Sequence, residues 1–572
     1  MKLFHTIIHS VALAAIIPHA HSASASSEPI ANSKTLTWET CSISLSLKCA
    51  KLVVPFDYQN PSAPNRTFEL RVAKLPAKQN PKRGSIFMNF GGPGIGGVGG
   101  LFNNKRTLQT ITEGYYDIIS WDPRGVPLSV PQADCFAGEK EESAFWEDSV
   151  LHPGLEAPGK FESQADIDEF LRLAQPANQT LSQLGERCKQ RVDTTLPYVG
   201  TAATVRDMIA IYDALGGSDS TGKINYWGFS YGTLIGLYLV NMFPDRAGRV
   251  VLEGVVDPEY WANKPAHESW SVTATHLDAM LRRFASECVE SDSCSFAKGM
   301  KSADEILNAI QGMITLAYNH KKQRGGKSKT SSAEIRKDIL DHLACPSEWD
   351  KLSQKLYNHR ETLKSAEAEP RSWINPSGVI DRVRQAFNSL SSYQSAPSYA
   401  FQAITCGDAS DFGNVETKDM FEELVRVAKN VAPIFGPAWG EGGLYCHKWP
   451  YRAVERYAGP WNKRSPDSEP ILVIGNSLDS VTPYESAQKV AYAFEGKAIL
   501  IRRMANGHLA SWNRDLEKDT CTPPILRKYF MNGTSPTSDV TCETNQDPPF
   551  RTTGKGIYKT AWATIKRLTD SL

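Results

Sequence analysis

The sequence predicts an α/β domain built on a mostly parallel, eight-stranded sheet flanked by helices. Three observations carry that prediction. Eight short β-type runs recur along the chain, several are near-continuous apolar segments, and helical periodicity follows several of them. A strand buried on both faces reads as a continuous apolar run, and alternation of such strands with helices marks a parallel sheet.

In chain order the strand runs are Leu52–Val54, Phe68–Val72, Ser85–Phe90, Asp117–Trp121, Ile224–Trp227, Val250–Glu253, Ile471–Ile474 and Ala498–Ile501. The first of them are not separated by helical patterns, so the sheet is expected to begin antiparallel. Helical patterns cover Thr204–Leu215, Tyr231–Phe243 and Tyr484–Phe494. Two stretches break the rhythm. Val130 to about Gly200 reads as polar and irregular. Pro258 to Ser468 holds helical patterns at Ser271–Glu290, Ala303–Tyr318 and Ala333–Leu343 but no clear βαβ unit, and is expected to be a large, mainly helical insertion between two core strands. Within it His320–Ser332 is basic and free of apolar side chains, the composition of an exposed loop. The expected organisation is a first core part at 36–257, the insertion at 258–468, a second core part at 469–550 and a tail at 551–572.

Over 572 residues, 63 Lys plus Arg balance 63 Asp plus Glu. That balance argues against a nucleic-acid binder or a protein held on anionic lipid by a basic face. The N-terminus points to export. Lys2 precedes a mostly apolar run, Leu3–Ile17, and small residues cluster at Ala20, Ser22, Ala23, Ser24 and Ala25. This is the pattern of a signal peptide, residues 1–22, cleaved after Ser22 or alternatively after Ala25. The run is too short to span a bilayer comfortably, so a secreted, extracellular protein without a membrane span is expected. Asn65, Asn178 and Asn532 head Asn-x-Thr sequons. Eleven cysteines suit an oxidising compartment. Proximity in sequence suggests the pairs Cys41–Cys49, Cys135–Cys188, Cys288–Cys294, Cys406–Cys446 and Cys521–Cys542, leaving Cys345 over. Spacing alone does not establish connectivity. No zinc-type ligand spacing occurs, so neither a metal nor another cofactor is expected.

Chemistry concentrates at Gly228-Phe-Ser-Tyr-Gly232, preceded by an apolar strand and followed by a helix. In that context Gly-x-Ser-x-Gly forms a sharp turn that lifts the serine hydroxyl above the sheet edge at a helix N-terminus. A serine needs a base oriented by a third group. Asp479 and His508 follow the two last strands, in the chain order serine, acid, histidine. Asp479 before Thr482-Pro483 also reads as a turn or cap aspartate. Donors for a developing oxyanion are expected from the backbone N–H of Tyr231 and, within the glycine-rich Phe90–Gly100 segment, of Gly92. No Gly-Lys-Ser/Thr occurs there, which excludes a phosphate-cradling P-loop.

Phe90-Gly-Gly-Pro-Gly, Trp121-Asp-Pro-Arg-Gly125, Gly228-Phe-Ser-Tyr-Gly232, Ala403-Ile-Thr-Cys-Gly-Asp408, Cys446-His-Lys-Trp-Pro450, Asp479-Ser-Val-Thr-Pro483 and Gly507-His508 together resemble the prolyl aminopeptidase family of α/β-hydrolases, and more closely its secreted, tripeptidyl-aminopeptidase-like branch. The resemblance covers roughly residues 36 to 550, and Cys521–Cys542 with Pro548-Pro-Phe550 is similar to that branch's C-terminal segment. Phe90 stands where the prolyl branch has His, and Glu253-Gly where Asp-Gly is commoner. The resemblance implies an α/β-hydrolase fold, a helical cap formed by the insertion, and a cap carboxylate that holds the free amine of a peptide. Asp408 and Glu441 are the candidates for that carboxylate, and Trp439 and Trp449 belong to an aromatic-rich stretch that either lines a substrate pocket or packs the cap itself.

The first expectation is a secreted serine hydrolase of the aminopeptidase type, a monomer that removes N-terminal residues or short peptides through an acyl-enzyme. The second is an esterase or lactonase acting on a small, secondary-metabolite-like ester with the same Ser230, Asp479 and His508. The third is a non-catalytic binding protein on the same scaffold, against which the intact triad argues.

Overall fold

The computed structural model describes residues 36–61, 66–192, 195–216, 222–323, 330–368, 398–438, 442–509, 519–544 and 549–550. The expected signal peptide and the Asn65 sequon lie outside these residues, as do Trp439, Glu441 and the tail from 551.

Lys34–Leu572 is one unit built on a single sheet. Its strands are β1 (Glu39–Cys41), β2 (Ser44–Pro55), β3 (Thr67–Leu75), β4 (Ser85–Asn89), β5 (Asp117–Asp122), β6 (Ile224–Phe229), β7 (Ala247–Glu253), β8 (Ile471–Leu478), β9 (Ala498–Asn506) and β10 (Val540–Glu543). They lie in the order β1-β2-β3-β5-β4-β6-β7-β8-β9-β10. The pairs β1/β2, β2/β3 and β3/β5 are antiparallel, and from β5 to β10 every pair is parallel. All eight expected strands form and the sheet begins antiparallel, but it has ten described strands rather than eight. The extra two, β1 and β10, are edge strands of three and four residues, too short to leave a period in the sequence. Each is pinned by a disulfide: Cys41–Cys49 ties β1 to β2, and Cys521–Cys542 ties β10 to the helix Thr522–Asn532. The other three expected pairs also form, and Cys345 is in none of the five disulfides.

Alternation along the strands sorts side chains into two cores. Phe87, Ile471 and Val473 face one, whereas Ile86, Met88, Leu472 and Ile474 face the other. The first core lies under the helices Thr201–Ala214 and Tyr231–Met242, the second under Gly97–Ile111 and Thr522–Asn532. Every residue of β4 and β5 is buried, including the polar Ser85, Asn89, Ser120 and Asp122 within these mostly apolar strands. Each aliphatic side chain so buried contributes about 1.5–3 kcal/mol.

The Val130–Gly200 stretch is not irregular. It carries the helices Glu139–Trp146, Gln164–Leu171 and Ala174–Val192. The first buries no residue and the second only Ile167 and Phe170, so neither shows a broad apolar stripe. Between β7 and β8 the described residues are helical or irregular, with helices at Leu277–Val289, Ala303–Gln323, Ser332–Leu343, Trp349–Ala368, Ala400–Asp408 and Thr417–Asn430. Among the described residues no helix is long and apolar enough to cross a membrane.

Candidate active site

Ser230 sits between β6 and the helix Tyr231–Met242, with φ 52° and ψ −124°. Such a conformation in a non-glycine residue costs on the order of 1–3 kcal/mol and persists only where its surroundings enforce it. They do. The Ser230 N–H donates to the Glu253 carbonyl of β7 at 3.0 Å, and its own carbonyl accepts from the Thr233 amide at 2.8 Å and the Thr233 hydroxyl at 2.6 Å. The flanking glycines are steric necessities. A Cβ on Gly228 would lie 2.2 Å from the Gly232 carbonyl oxygen, and one on Gly232 would lie 2.5 Å from the carbonyl oxygen of Asn89 in β4. Gly228→Ala is therefore expected to lower the melting temperature and to abolish labelling of Ser230 by a fluorophosphonate, because backbone rather than a pliable side chain must yield. Labelling at the wild-type rate would contradict this account of the turn.

Asp479 follows β8 and His508 follows β9, and the pairing of Leu478 with Asn506 brings the two strand ends together. The Asp479 carboxylate is fully buried. Its Oδ1 accepts from the amides of Val481 (2.8 Å) and Thr482 (2.9 Å), and its Oδ2 from the Thr482 hydroxyl (2.9 Å). The same Oδ2 lies 2.9 Å from His508 Nδ1. The turn-aspartate reading and the catalytic reading of Asp479 thus describe its two oxygens. An acceptor at Nδ1 selects the tautomer in which Nδ1 carries the proton and Nε2 the lone pair. Thr482 Oγ1, 3.1 Å from the same nitrogen, adds a second contact that the sequence reading did not single out. The Glu253–Gly254 segment touches both partners. Glu253 holds the Ser230 amide, and a Cβ on Gly254 would lie 3.1 Å from His508 Cε1.

Gly92 and Ser230 share the wall of a cavity of about 220 Å³. The preceding Gly91 is pressed against the serine: a Cβ there would be 2.9 Å from both Ser230 Cβ and the Phe229 carbonyl oxygen. Tyr231 opens its helix, so its amide is one of the first-turn N–H groups without an intrahelical acceptor. Trp261, Trp270, Phe401 and Val481 line the same cavity, and Asp257 is the one carboxylate among its described lining residues. Asp257 accepts from the amides of Glu259 (2.9 Å) and Tyr260 (3.4 Å) as the cap of the helix Pro258–Ala262, and its Oδ2 lies 2.9 Å from Lys489 Nζ. The sequence reading missed it, although Asp-Pro-Glu at residues 257–259 is a helix-start signature.

Two expected substrate-binding residues lie elsewhere. Asp408 is fully buried and does not line the cavity; its carboxylate accepts from the Thr201 amide (3.1 Å), the Thr201 hydroxyl and Trp261 Nε1 (2.9 Å). Burial raises its pKa. Thr201 Oγ1 is in turn 2.7 Å from the Tyr231 hydroxyl, so Asp408 braces Trp261 directly and Tyr231 through Thr201. Trp449 stacks on Tyr399 with ring centroids 6.5 Å apart and is also absent from the cavity wall. The remaining sequons differ. Asn178 is half-buried in the helix Ala174–Val192, its Oδ1 accepting from Thr417 at 2.9 Å, whereas Asn532 is exposed at the end of its helix. Among the described residues no group of three or more His, Cys, Asp or Glu could hold a metal ion.

Residues 432–542 match the family described as TAP-like protein. Across most of its length it is similar to the serine protease Hip1 of Mycobacterium tuberculosis (strain ATCC 25618 / H37Rv), at 26% identity over 86% of this chain and 87% of the relative. It is likewise similar to the tripeptidyl aminopeptidase of Streptomyces lividans, at 25% identity over 90% of this chain and 87% of the relative. Carboxylesterase B of Mycobacterium tuberculosis (strain CDC 1551 / Oshkosh) is 24% identical, over 86% of each chain. With its α/β-hydrolase sheet, ten-stranded among the described residues, this chain is a serine hydrolase.

Proposed function

We propose that the chain is a secreted exopeptidase that cleaves short peptides from a free N-terminus, with Ser230 as nucleophile, His508 as general base and acid, and Asp479 as the group that orients the imidazole. The observations that carry this reading are a serine at φ 52° on the wall of a cavity and a histidine whose Nδ1 is held by a buried carboxylate, with the Glu253–Gly254 segment holding the serine's amide and packing on the histidine's ring. In the reaction Ser230 Oγ attacks the scissile carbonyl carbon while its proton passes to His508 Nε2. The amides of Tyr231 and Gly92 receive the oxyanion, the proton moves on to the leaving amine, and water then cleaves the acyl-enzyme by the same route. The helices of 258–468 act as a cap, since Trp261, Trp270 and Phe401 from that region line the cavity beside Ser230. Relatives named serine protease and tripeptidyl aminopeptidase support a peptide substrate. Secretion is supported by the residue pattern at 1–22 and the five disulfides.

Asp257 is the best candidate to hold the substrate's ammonium. Lys489 Nζ is shared between Asp257 (2.9 Å) and Glu259 (2.5 Å), so two carboxylates face one cation and the cluster keeps one net negative charge. An incoming ammonium would neutralise it. Asp257→Asn is expected to raise KM for free-amine peptide anilides by about 10- to 100-fold, the equivalent of a charged hydrogen bond, and to leave blocked anilides and esters unchanged. An equal effect on free and blocked substrates would remove Asp257 from this role.

Esterase or lactonase activity on a small ester is the second reading, favoured by the mainly apolar lining and by the relative named carboxylesterase. A panel of free-amine and blocked mono-, di- and tripeptide anilides beside short acyl esters, run with the purified protein and with Ser230→Ala, separates the two. Ser230-dependent anilide release that is lost on N-terminal blocking is the expected result. Ester turnover without anilide cleavage would replace it with the second reading.

A further inference from the structure

We propose that the corner between the helices Ser332–Leu343 and Trp349–Ala368 is a positioning element for His508, so that the helical region between β7 and β8 takes part in holding the general base as well as in walling the cavity. This rests on the role given to His508 above.

The backbone around His508 is divided between two anchors. On the core side, the Gly507 N–H donates to the Leu478 carbonyl at 2.9 Å and the Gly507 carbonyl accepts from Asn476 Nδ2 at 2.7 Å. Asn476 is held by Arg503 at 2.9 Å, and Arg503 by Asp519, all buried. The next amide turns away from the core. The His508 N–H donates to the carbonyl of Ala344, in the helical region, at 2.7 Å. Gly507 is packed on the same corner: with φ 99°, a Cβ there would lie 2.6 Å from Pro346 Cδ and 3.0 Å from the Ala344 carbonyl oxygen. The absence of a side chain at 507 is what lets the corner close on the histidine's backbone.

The corner is stiff enough to serve. The Cys345 amide donates to the His342 carbonyl at 3.2 Å, and the Glu348 amide to the Cys345 carbonyl at 2.8 Å. Trp349 Nε1 donates to the Leu343 carbonyl at 3.0 Å, and its buried ring packs edge-on against Phe284 at 5.6 Å between centroids. The acceptor for His508 is therefore fixed on both sides along the chain. The imidazole is set from three directions: Asp479 and Thr482 at Nδ1, the core through Gly507 and the corner through the amide of His508. Loss of the third would let the ring rotate about the second while the cavity wall stayed in place. Misplacement of a catalytic group by about 1 Å costs about 10²-fold in rate, so the effect belongs on the chemical step and not on substrate binding.

The test reads the rate of fluorophosphonate labelling of Ser230, which needs the base but little of the cavity, beside kcat and KM. Pro346→Gly removes the ring that packs on Gly507. A bulky maleimide on Cys345, the single cysteine outside the five disulfides, wedges the corner in a protein already folded. Cys345→Ser, treated identically, is the control, and His508→Ala sets the floor. The expected result is a fall of about 10- to 100-fold in labelling and kcat for Pro346→Gly and for the alkylated protein, with KM and the melting temperature nearly unchanged. Wild-type labelling by either perturbed protein, while His508→Ala falls to the floor, would overturn the inference. Wild-type labelling by His508→Ala would instead overturn the role given to His508. Should Pro346→Gly fail to fold, the alkylated protein decides.

Discussion

Ser230→Ala and His508→Ala are each expected to lower kcat on the best substrate of the panel by about 10⁶-fold, and the double variant by no more than either alone. The reason is that proton transfer and nucleophilic attack are one event. Without Oγ there is no nucleophile for Nε2 to activate, and without the imidazole the hydroxyl keeps its proton. Asp479→Asn is expected to cost less, about 10⁴-fold. An amide at 479 can keep the turn through Oδ1, which accepts from Val481 and Thr482, but if its NH₂ faces His508 Nδ1 it selects the opposite tautomer. Stopped assays on the three single variants and the Ser230/His508 double variant read this directly. Additive losses for Ser230 and His508 would mean that the two act independently, and the triad reading would fall.

Asp207→Ala is expected to destabilise the fold by about 3–5 kcal/mol without touching the catalytic groups. Arg124 and Asp207 form a fully buried, two-pronged pair: Nε to Oδ2 at 2.8 Å and Nη2 to Oδ1 at 2.6 Å. The rest of the guanidinium donates to the carbonyls of Phe56 (3.0 Å), Tyr198 (3.2 Å) and Pro55 (3.2 Å), and the Tyr58 hydroxyl donates to Asp207 at 2.8 Å. The pair thus fastens the end of β2 and the loop after β5 to the helix Thr201–Ala214. Removing the carboxylate alone strands a guanidinium in a site that excludes water. Exchanging both partners, Arg124→Met with Asp207→Leu, is expected to recover most of the loss, because the large cost is the unpaired charge and not the missing attraction. Chemical denaturation of the three variants is the measurement. A double variant no more stable than Asp207→Ala would show that the polar contacts to the loop carbonyls matter more than the charge.

Eight strands, five disulfides, the Gly-x-Ser-x-Gly turn and the Ser230, Asp479, His508 order were legible because each leaves a local mark: an apolar run, a cysteine spacing, a glycine pair about a serine, a charged or basic residue just past a strand. The edge strands β1 and β10 were not legible, since their pairing energy comes from a neighbour and a disulfide and not from a pattern of their own. The three helices between 139 and 192 were hidden for a related reason. The helices Glu139–Trp146 and Gln164–Leu171 bury too little for an apolar stripe, and the buried face of Ala174–Val192 (Ala174, Ala177, Leu181, Leu184 and Cys188) is made largely of small residues that stand out weakly in a sequence.

The side chains assigned to substrate mark the boundary between the two kinds of information. A carboxylate and a tryptophan within the motif segments were chosen from residue type alone; in the structure Asp408 accepts from Thr201 and Trp261 behind the cavity, and Trp449 stacks on Tyr399. Asp257, disguised as a helix cap, is the carboxylate that reaches the cavity wall. Chemistry that depends on backbone shape, such as a strained serine between two strand-adjacent glycines, is written in consecutive residues and can be read from them. Which side chains converge on that serine depends on helices far away in sequence, from Pro258–Ala262 to Tyr484–Ala493, whose placement follows from burying apolar surface in three dimensions. The linear order of residues therefore pointed to a serine, an acid and a histidine at the ends of three strands, and only packing decided what faces them and what, at Ala344, holds the histidine's backbone.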